Sequence, residues 1–330
     1  MALLDVRNLS VDARRGQRDA RIGDEVSFAL GAGEMLGIVG ESGSGKSVSV
    51  RAVLGLIPMP PLRIAGGTAE FEGRDLLRMS ARERRGILGR RISIVFQDPL
   101  AALNPLMTVG DQIAEAIQAH ARLPQAAVDG HVVELLNAVR IPNAAGRARS
   151  YPHELSGGMR QRVLIAIALA NDPAVIIADE PTTALDVTIQ AQIMRIFRDI
   201  RRTRGCAIVL ISHDLGLIAE NCDRVQVMYA GRVVETGTVS DVLREPLHPY
   251  TRGLMEARPD QDLQRAQLTP IRGRPPTAGQ IPPGCAFHPR CDLYRGRERC
   301  ERETPVLRGD AAAGRLAACH YFDEANRGSS

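Results

Sequence analysis

The sequence predicts an α/β fold over about the first 240 residues, where short apolar runs alternate with segments of helical periodicity. Four of these runs end abruptly, as buried strands of a parallel sheet do. They are residues 35–39 before a glycine loop, 92–96 before Gln97, 175–178 before Asp179 and 208–211 before Ser212. Because ligands bind beyond the carboxyl ends of parallel strands, we expect the four ends to converge on one site.

The other periodic segments predict two additions to this sheet. Strands at residues 3–9 and 68–72, and a hairpin at 225–234 that turns near Ala230-Gly231, have the pattern of antiparallel, peripheral strands. Amphipathic helical patterns at residues 109–117 and 132–139 predict a helical insert at about residues 100–160. We therefore expect one domain over residues 1–246, with an antiparallel β subdomain and a helical subdomain.

The composition changes at about residue 247, and we expect a separate small C-terminal module over residues 247–330. Prolines and arginines cluster there, strand signals become sparse, and four of the six cysteines appear. These four, Cys285, Cys291, Cys300 and Cys319, have the spacing C-x5-C-x8-C-x18-C.

The bulk composition limits the classes of function. Hydrophobic residues make up 44% of the 330 residues, but the most apolar stretch, 163–170, is too short for a span of about 20 residues. Asp5 and Arg7 interrupt the N-terminal segment where a signal peptide is apolar. The net charge of +4 is mild and the basic runs are interleaved with acidic residues, so we expect no nucleic-acid partner and folding in the cytosol.

The glycine loop, residues 40–47, reads GESGSGKS and fits the phosphate-loop pattern G-x-x-x-x-G-K-[ST]. It follows a predicted strand and precedes a helical pattern, so backbone N–H groups and the helix dipole face an anion. Lys46 is the only lysine among the 42 Lys and Arg residues. We expect Lys46 to contact the β- and γ-phosphates and Ser47 to coordinate Mg²⁺.

Two adjacent carboxylates end the apolar run at residues 175–178. Asp179 fits the carboxylate that holds Mg²⁺, and Glu180 fits the general base that polarises the attacking water. Helix-capping acids before Pro181 are the structural alternative.

A second small-residue loop precedes a helical pattern at residues 155–161, which read LSGGMRQ. This is again an anion-binding arrangement. The chain thus has two phosphate-binding loops but one lysine and one carboxylate pair. We therefore expect each loop to complete a site on another subunit, with ATP held between the two.

Together these motifs resemble the nucleotide-binding domains of ABC transporters, which are P-loop NTPases. The resemblance spans roughly residues 3–250 and rests on the order and spacing of the glycine loop, Gln97, the LSGGMRQ run, the Asp-Glu pair, the sequence Ala184-Leu185-Asp186, and His213.

The resemblance implies a role for each matching residue. Gln97 contacts Mg²⁺ and the attacking water, Asp186 lies at a dimer seam, and His213 contacts the γ-phosphate. The implied catalytic residues are Glu180, His213 and Gln97. The implied ATP and Mg²⁺ ligands are Gly40, Ser42, Gly43, Ser44, Gly45, Lys46, Ser47, Val48, Gln97 and Asp179. The residues implied to act in the partner's site are Ser156, Gly157, Gly158 and Gln161.

One feature departs from this family, whose members usually stack an aromatic side chain on adenine. The corresponding stretch, residues 10–14, has no aromatic residue, and Ala13 occupies the matching position. An arginine side chain or Val26 is the candidate substitute.

Met159 and residues 166–173, which read AIALANDP, resemble the D-type subunit of the oligopeptide/dipeptide importer branch, and three further stretches resemble that branch as a whole. They read FQDP at residues 96–99, YPHE at 151–154 and PLHPYT at 246–251. The resemblance implies a heterodimer with an F-type ATPase, two permease subunits and an extracytoplasmic binding protein, on the cytoplasmic face of the inner membrane. Nickel and glutathione importers share these features, so the cargo stays open. A soluble ABC ATPase acting on nucleic acid or ribosomes is the alternative class.

The C-terminal cysteines favour metal binding over disulfides, because the chain is predicted to be cytosolic. Their spacing is wider than that of the common zinc fingers. Some importers of this branch hold a [4Fe–4S] cluster through four such thiolates, which the resemblance implies here. Zinc and unligated or redox-active thiols remain alternatives. Cys206 and Cys222 are expected to be buried, small hydrophobic residues.

Overall fold

A computed structural model describes residues 2–15, 18–257, 270–310 and 314–325. Parts of the predicted C-terminal module, 258–269, 311–313 and 326–330, lie outside these described residues. The chain divides into two compact units. The first unit comprises Met1–Ala2, Leu30–Met35 and Arg78–Ile211, and the second comprises Leu3–Ala29, Leu36–Leu77 and Ser212–Ser330.

The strands of the described residues, in chain order, are β1 (Leu4–Arg15), β2 (Arg18–Leu30), β3 (Met35–Val39), β4 (Leu62–Phe71), β5 (Arg74–Asp75), β6 (Ile92–Val95), β7 (Val175–Asp179), β8 (Ala207–Ser212), β9 (Arg224–Tyr229), β10 (Arg232–Thr238), β11 (Arg308–Asp310) and β12 (Arg315–Ala317).

The α-helices are α1 (Lys46–Val53), α2 (Ala81–Arg85), α3 (Pro99–Ala102), α4 (Val109–Gln118), α5 (Gln125–Ala138), α6 (Ala144–Arg147), α7 (Gly157–Leu169), α8 (Val187–Arg204), α9 (Leu215–Asn221), α10 (Val239–Arg244), α11 (Pro249–Glu256), α12 (Glu298–Arg302) and α13 (Phe322–Ala325). Among the described residues, no helix has both the length and the apolar composition that crossing a bilayer requires.

The first unit is built on parallel strands. β6 pairs with β7, and β7 pairs with β8, so that Ile92 lies opposite Val175 and Val175 opposite Ala207. All five residues of β7 are buried, as expected for a central parallel strand. Helices α4, α5 and α7 pack together in this unit, and α4 and α5 lie within residues 100–160, where the helical insert is expected.

The second unit contains two groups of paired strands. One is an antiparallel sheet in the order β2-β1-β4-β5. In the other, β3 pairs in parallel with β9, β9 pairs antiparallel with β10, and β12 joins the far edge of β10. The β9–β10 hairpin turns at Ala230 and Gly231, both with positive φ, as the sequence predicts.

The predicted strands and helices are present, but several are longer than their patterns indicate. β1 extends to Arg15 through a register shift near Ser10, and α5 begins at Gln125 rather than at residue 132. The sparse strand signals of the C-terminal module miss β11 and β12. β12 is three residues long and pairs with β10 at Glu235 and Thr236. Its conformation therefore depends on an available sheet edge rather than on local propensity.

Candidate active site and C-terminal cysteine cavity

The glycine loop of the second unit connects β3 to α1 and surrounds the ammonium group of Lys46. Gly45 has φ +93°, and a Cβ there would lie 2.7 Å from the carbonyl oxygen of Ile22, so only glycine fits. Lys46 is 4% exposed, and its Nζ donates to the carbonyl oxygens of Gly40 at 2.7 Å and Glu41 at 3.0 Å. The loop thus has the buried cation and the helix N-terminus expected of a phosphate site.

The rest of the loop differs in exposure from residue to residue. Ser42 and Gly43 are exposed, Ser47 and Val48 are half-buried, and Ser44 is buried. The carbonyl oxygen of Ser44 accepts a hydrogen bond from the N–H of Gly231 at 3.0 Å, which ties the loop to the β9–β10 turn.

The first unit holds the carboxylate pair at the end of β7. Asp179 is the last residue of the strand and is fully buried. Glu180 follows with φ +48°, an uncommon conformation for a residue with a side chain, and such outliers concentrate at active sites. Its N–H donates to the carbonyl oxygen of Ile211 at 3.0 Å, so backbone pairing with β8 holds this turn in place.

Two side chains hold the carboxylate of Glu180. Nε2 of Gln97 donates to Oε2 at 3.0 Å, and the hydroxyl of Thr183 donates to the same oxygen at 2.9 Å. Gln97 follows the neighbouring strand β6, so the structure confirms that these two strand ends converge. Sequence reasoning missed Thr183, whose only signal was its place three residues after Glu180.

The LSGGMRQ run forms the start of the 13-residue helix α7. Ser156 caps this helix, its hydroxyl accepting from the N–H of Met159 at 3.4 Å. Ser156 and Gly157 are exposed, whereas Gly158 is buried. A Cβ on Gly158 would lie 2.7 Å from Cγ2 of Ile189 in α8, so this glycine permits close helix packing.

Three other predicted residues have clear local positions. Gln161 is 1% exposed, and its Nε2 has no hydrogen-bond partner, which places it in the interior of the first unit. Asp186 caps α8, since its Oδ1 accepts from the N–H of Ile189 at 2.9 Å. His213 is an exposed residue of the second unit, directly before the α9 cap Asp214.

The two candidates for contact with adenine differ in accessibility. Val26 is 1% exposed and belongs to the core, so it offers no face to a base. Arg14, next to Ala13 in β1, is exposed. Of the two substitutes, the arginine is therefore the accessible one.

The four C-terminal cysteines line one cavity of about 20 Å³ in the second unit, together with His248. None forms a disulfide. Burial raises the pKa of all four thiols, to about 11 for Cys291 and about 12 for Cys319. The described residues contain no group of three or more His, Cys, Asp or Glu side chains arranged to hold a metal ion.

The remaining cysteines differ from one another. Cys206 is 1% exposed, which confirms the buried, small residue that the sequence predicts, and burial raises its pKa to about 12. Cys222 is half-buried rather than buried as expected, because it lies at the end of α9, directly after the last residue of the helix.

The parallel strands, the glycine loop with a buried lysine and the Asp-Glu pair define a P-loop ATPase of the ABC class. Residues 24–183 match the family model described as ABC transporter, and residues 234–300 match the model described as oligopeptide/dipeptide transporter, C-terminal region. A solved structure of the bacterial ABC transporter cassette MJ0796 superimposes with a TM-score of 0.65 at 26% identity, covering 72% of this chain and 98% of that one.

Curated proteins resemble the chain over almost its whole length. A probable peptide ABC transporter ATP-binding protein of Sinorhizobium fredii, y4tR, is 48% identical and covers 98% of this chain and 96% of its own length. The dipeptide transport ATP-binding protein DppD of Escherichia coli is 46% identical, with 99% of both chains covered. The DppD of Bacillus subtilis is 48% identical, with 88% of this chain and 86% of its own length covered. The chain belongs to the ATP-binding subunits of oligopeptide/dipeptide ABC transporters, and it binds and hydrolyses ATP.

Proposed function

We propose that this chain powers the import of dipeptides or short oligopeptides. The observation that supports this most directly is the similarity to dipeptide transport ATP-binding proteins over both predicted domains, including the C-terminal region at residues 234–300. The proposed division of the chain is an ATP-binding domain over residues 1–246 and an extension over 247–330.

The proposed chemistry assigns one role to each group of site residues. The glycine loop binds the phosphates, with Lys46 as the cation. Asp179 and Ser47 would hold Mg²⁺, a hard cation that prefers oxygen ligands and would stabilise the charge on the phosphates. The buried carboxylate at the end of β7 supports this assignment.

Glu180 is the proposed general base. Gln97 and Thr183 donate hydrogen bonds of 3.0 and 2.9 Å to Oε2 of its carboxylate. These bonds fix the orientation of the carboxylate that takes the proton from water. His213 is the proposed contact to the γ-phosphate. The water-derived oxygen bonds to phosphorus as the bond to ADP breaks.

The proposed assembly contains two ATP-binding subunits, two permeases and an extracytoplasmic binding protein. Ser156 and Gly157 complete the nucleotide site of the other subunit, an F-type ATPase, while Gly158 and Gln161 act in that site through the packing of α7, and Asp186 lies at the seam. Exposure of Ser156 and Gly157 at the start of α7 supports this role, whereas the burial of Gln161 limits it to supporting the helix. The chain is then peripheral, on the cytoplasmic face of the inner membrane.

The C-terminal extension is a proposed cysteine-ligated module. Four thiols from separate segments line one cavity, which is the all-cysteine donor set that a [4Fe–4S] cluster takes, and bound iron would favour their thiolate forms. In the described residues these thiols are not arranged as a metal-binding group, so a cluster would have to draw them together. Such a cluster supplies either a cross-link between segments or an electron-transfer centre. Zinc and free thiols are the competing states.

Uptake measurements test the cargo. The chain, its partner subunits and the binding protein are reconstituted in vesicles, and ATP hydrolysis and labelled dipeptide uptake are measured together. Dipeptide should stimulate both, and Lys46→Ala should abolish both. Stimulation by Ni²⁺ or glutathione, with none by peptides, would refute the peptide assignment and leave the ATPase assignment intact.

A further inference from the structure

A charged side chain of the C-terminal extension contacts the glycine loop. Nη1 of Arg290 donates to Oε2 of Glu41 at 2.6 Å, and Nη2 donates to Oε1 at 3.0 Å. Glu41 is the second residue of the loop, 249 positions earlier in the chain. Such a bidentate ion pair fixes the relative orientation of the guanidinium and the carboxylate as well as the distance between them.

The guanidinium is itself held rigidly. The Arg290 side chain is 5% exposed. Its Nε donates to the carbonyl oxygen of Arg272 at 2.8 Å, and Nη1 also donates to the hydroxyl of Tyr229 at 3.3 Å. The guanidinium carbon lies 5.7 Å from the centre of the Tyr229 ring and 5.8 Å from that of Phe287. Arg290 therefore has little freedom to follow the loop if the loop moves.

The backbone of Glu41 is held at both of its polar groups. Its N–H donates to the hydroxyl oxygen of Tyr250 at 2.8 Å, and its carbonyl oxygen accepts from Nζ of Lys46 at 3.0 Å. Tyr250 is fully buried, and its ring lies 4.7 Å from that of Tyr229. The residue at the start of the loop is thus fixed through its carboxylate, its N–H and its carbonyl oxygen.

Only the arginine side of this ion pair is buried, since the Glu41 side chain is 26% exposed. Such a pair is poor evidence for added stability, because desolvation of the charges offsets their attraction. The best-supported role of such an ion pair is to select one conformation of the segments that it joins. Here the geometry is that of the loop whose N–H groups and lysine bind phosphate, which requires placement accurate to a fraction of an ångström.

We propose that Arg290 is a positioning residue for nucleotide binding, which acts through the carboxylate of Glu41 to hold the glycine loop in its phosphate-binding conformation. The C-terminal extension is then part of the nucleotide-binding machinery. The inference rests on the proposed phosphate-binding role of the loop.

Binding of Mg²⁺–ADP to the full-length chain, measured by calorimetry, tests this directly. Arg290→Met should raise the Kd about tenfold, or about 1.4 kcal/mol, because the half-buried carboxylate of Glu41 loses both hydrogen bonds that orient it and the loop. Arg290→Lys keeps the positive charge but cannot form the bidentate pair of hydrogen bonds with the carboxylate, and should raise the Kd about threefold. The double variant Arg290→Met with Glu41→Gln should have the same Kd as Arg290→Met alone, since the two residues act as a pair.

Arg302→Met is the matched control. Arg302 pairs with Glu298 at 2.6 Å in the same extension, but both side chains are exposed, unlike that of Arg290. The Kd should stay unchanged in this variant, as expected for a surface ion pair.

Thermal unfolding separates positioning from folding. If Arg290→Met does not fold, Arg290→Lys and Glu41→Gln decide the question. Folded variants of either residue that bind ADP with the wild-type Kd overturn the inference. Lys46→Ala serves as the reference: wild-type ADP binding by that variant would instead refute the phosphate-loop assignment.

Discussion

The amide of Gln97 donates to the carboxylate of Glu180 at 3.0 Å, across the ends of two neighbouring parallel strands. The two residues are 83 positions apart. Through this hydrogen bond, a displacement at the end of β6 can reach Glu180, the proposed general base. Gln97 and Thr183 share one oxygen, Oε2, so their effects on Glu180 should be coupled.

Replacing Glu180 by Gln should abolish turnover while ATP still binds. The amide keeps the size of the side chain but cannot accept the proton of the attacking water, and loss of a general base costs about 100-fold or more in rate. Phosphate release and binding of ATP are measured in parallel. The exposed Glu220 in α9 gives the control Glu220→Gln, which should behave as wild type. Near-normal turnover in Glu180→Gln removes Glu180 as the base.

Thr183→Val should lower kcat about fivefold with little change in KM for ATP, because it removes a hydrogen bond that orients the proposed base Glu180, worth about 1 kcal/mol. Thr183→Ser retains the hydroxyl and should restore kcat. Steady-state kinetics of the assembled transporter measure both values. An equal loss in the Val and Ser variants would show that Thr183 acts by packing instead.

Much of this site could be predicted because its signals are local. The glycine loop, the Asp-Glu pair and the LSGGMRQ run each occupy a few consecutive residues, and the chemistry proposed for them follows from residue type and from the strand or helix beside them. Gln97 is recognised from its place at the end of a predicted strand. Pairing of β6 with β7 then brings it to Glu180.

The contacts that hold these motifs could not be predicted in the same way. Nothing near Arg290 in the sequence indicates that it pairs with Glu41, because the pair depends on tertiary folding over 249 residues. Burial of Gln161 also follows from how α7 packs rather than from its motif. The strand β12 depends on the free edge of β10.

Gly158→Ala should destabilise the protein by about 2 kcal/mol, the usual cost of forcing an extra methyl into a packed contact. The new Cβ would lie 2.7 Å from Cγ2 of Ile189. Gly157→Ala is the matched control, since the nearest atom there is 3.7 Å away, an ordinary contact. Thermal unfolding of each variant gives the comparison, and Ile189→Ala should rescue Gly158→Ala. Equal melting temperatures for the two alanine variants contradict the packing argument.

The chain alone should be a poor ATPase, and adding its partner ATP-binding subunit should raise turnover at least about tenfold. A gain of this size is expected when the partner supplies an electrostatic contact to the transferred phosphate that the single chain lacks. Ser156→Arg should block this gain, because a cation at the start of α7 opposes the helix dipole and occupies the exposed surface. Ser80→Arg also removes a helix-capping serine, that of α2, and should leave the gain intact. A fully active monomer would contradict the shared-site arrangement.

Protein purified without oxygen should contain about four iron atoms and matching labile sulfide per chain if the cysteine cavity holds a [4Fe–4S] cluster. Cys291→Ser should remove the iron, since a serine hydroxyl is a poor ligand for this cluster, and the visible absorbance should fall with it. Cys206→Ala is the control, because that buried thiol does not line the cavity and should leave the iron content unchanged. Zinc in place of iron identifies a structural metal site. Metal-free protein with four titratable thiols identifies the cavity as a cluster of protonated cysteines, consistent with the raised pKa that burial gives each of them.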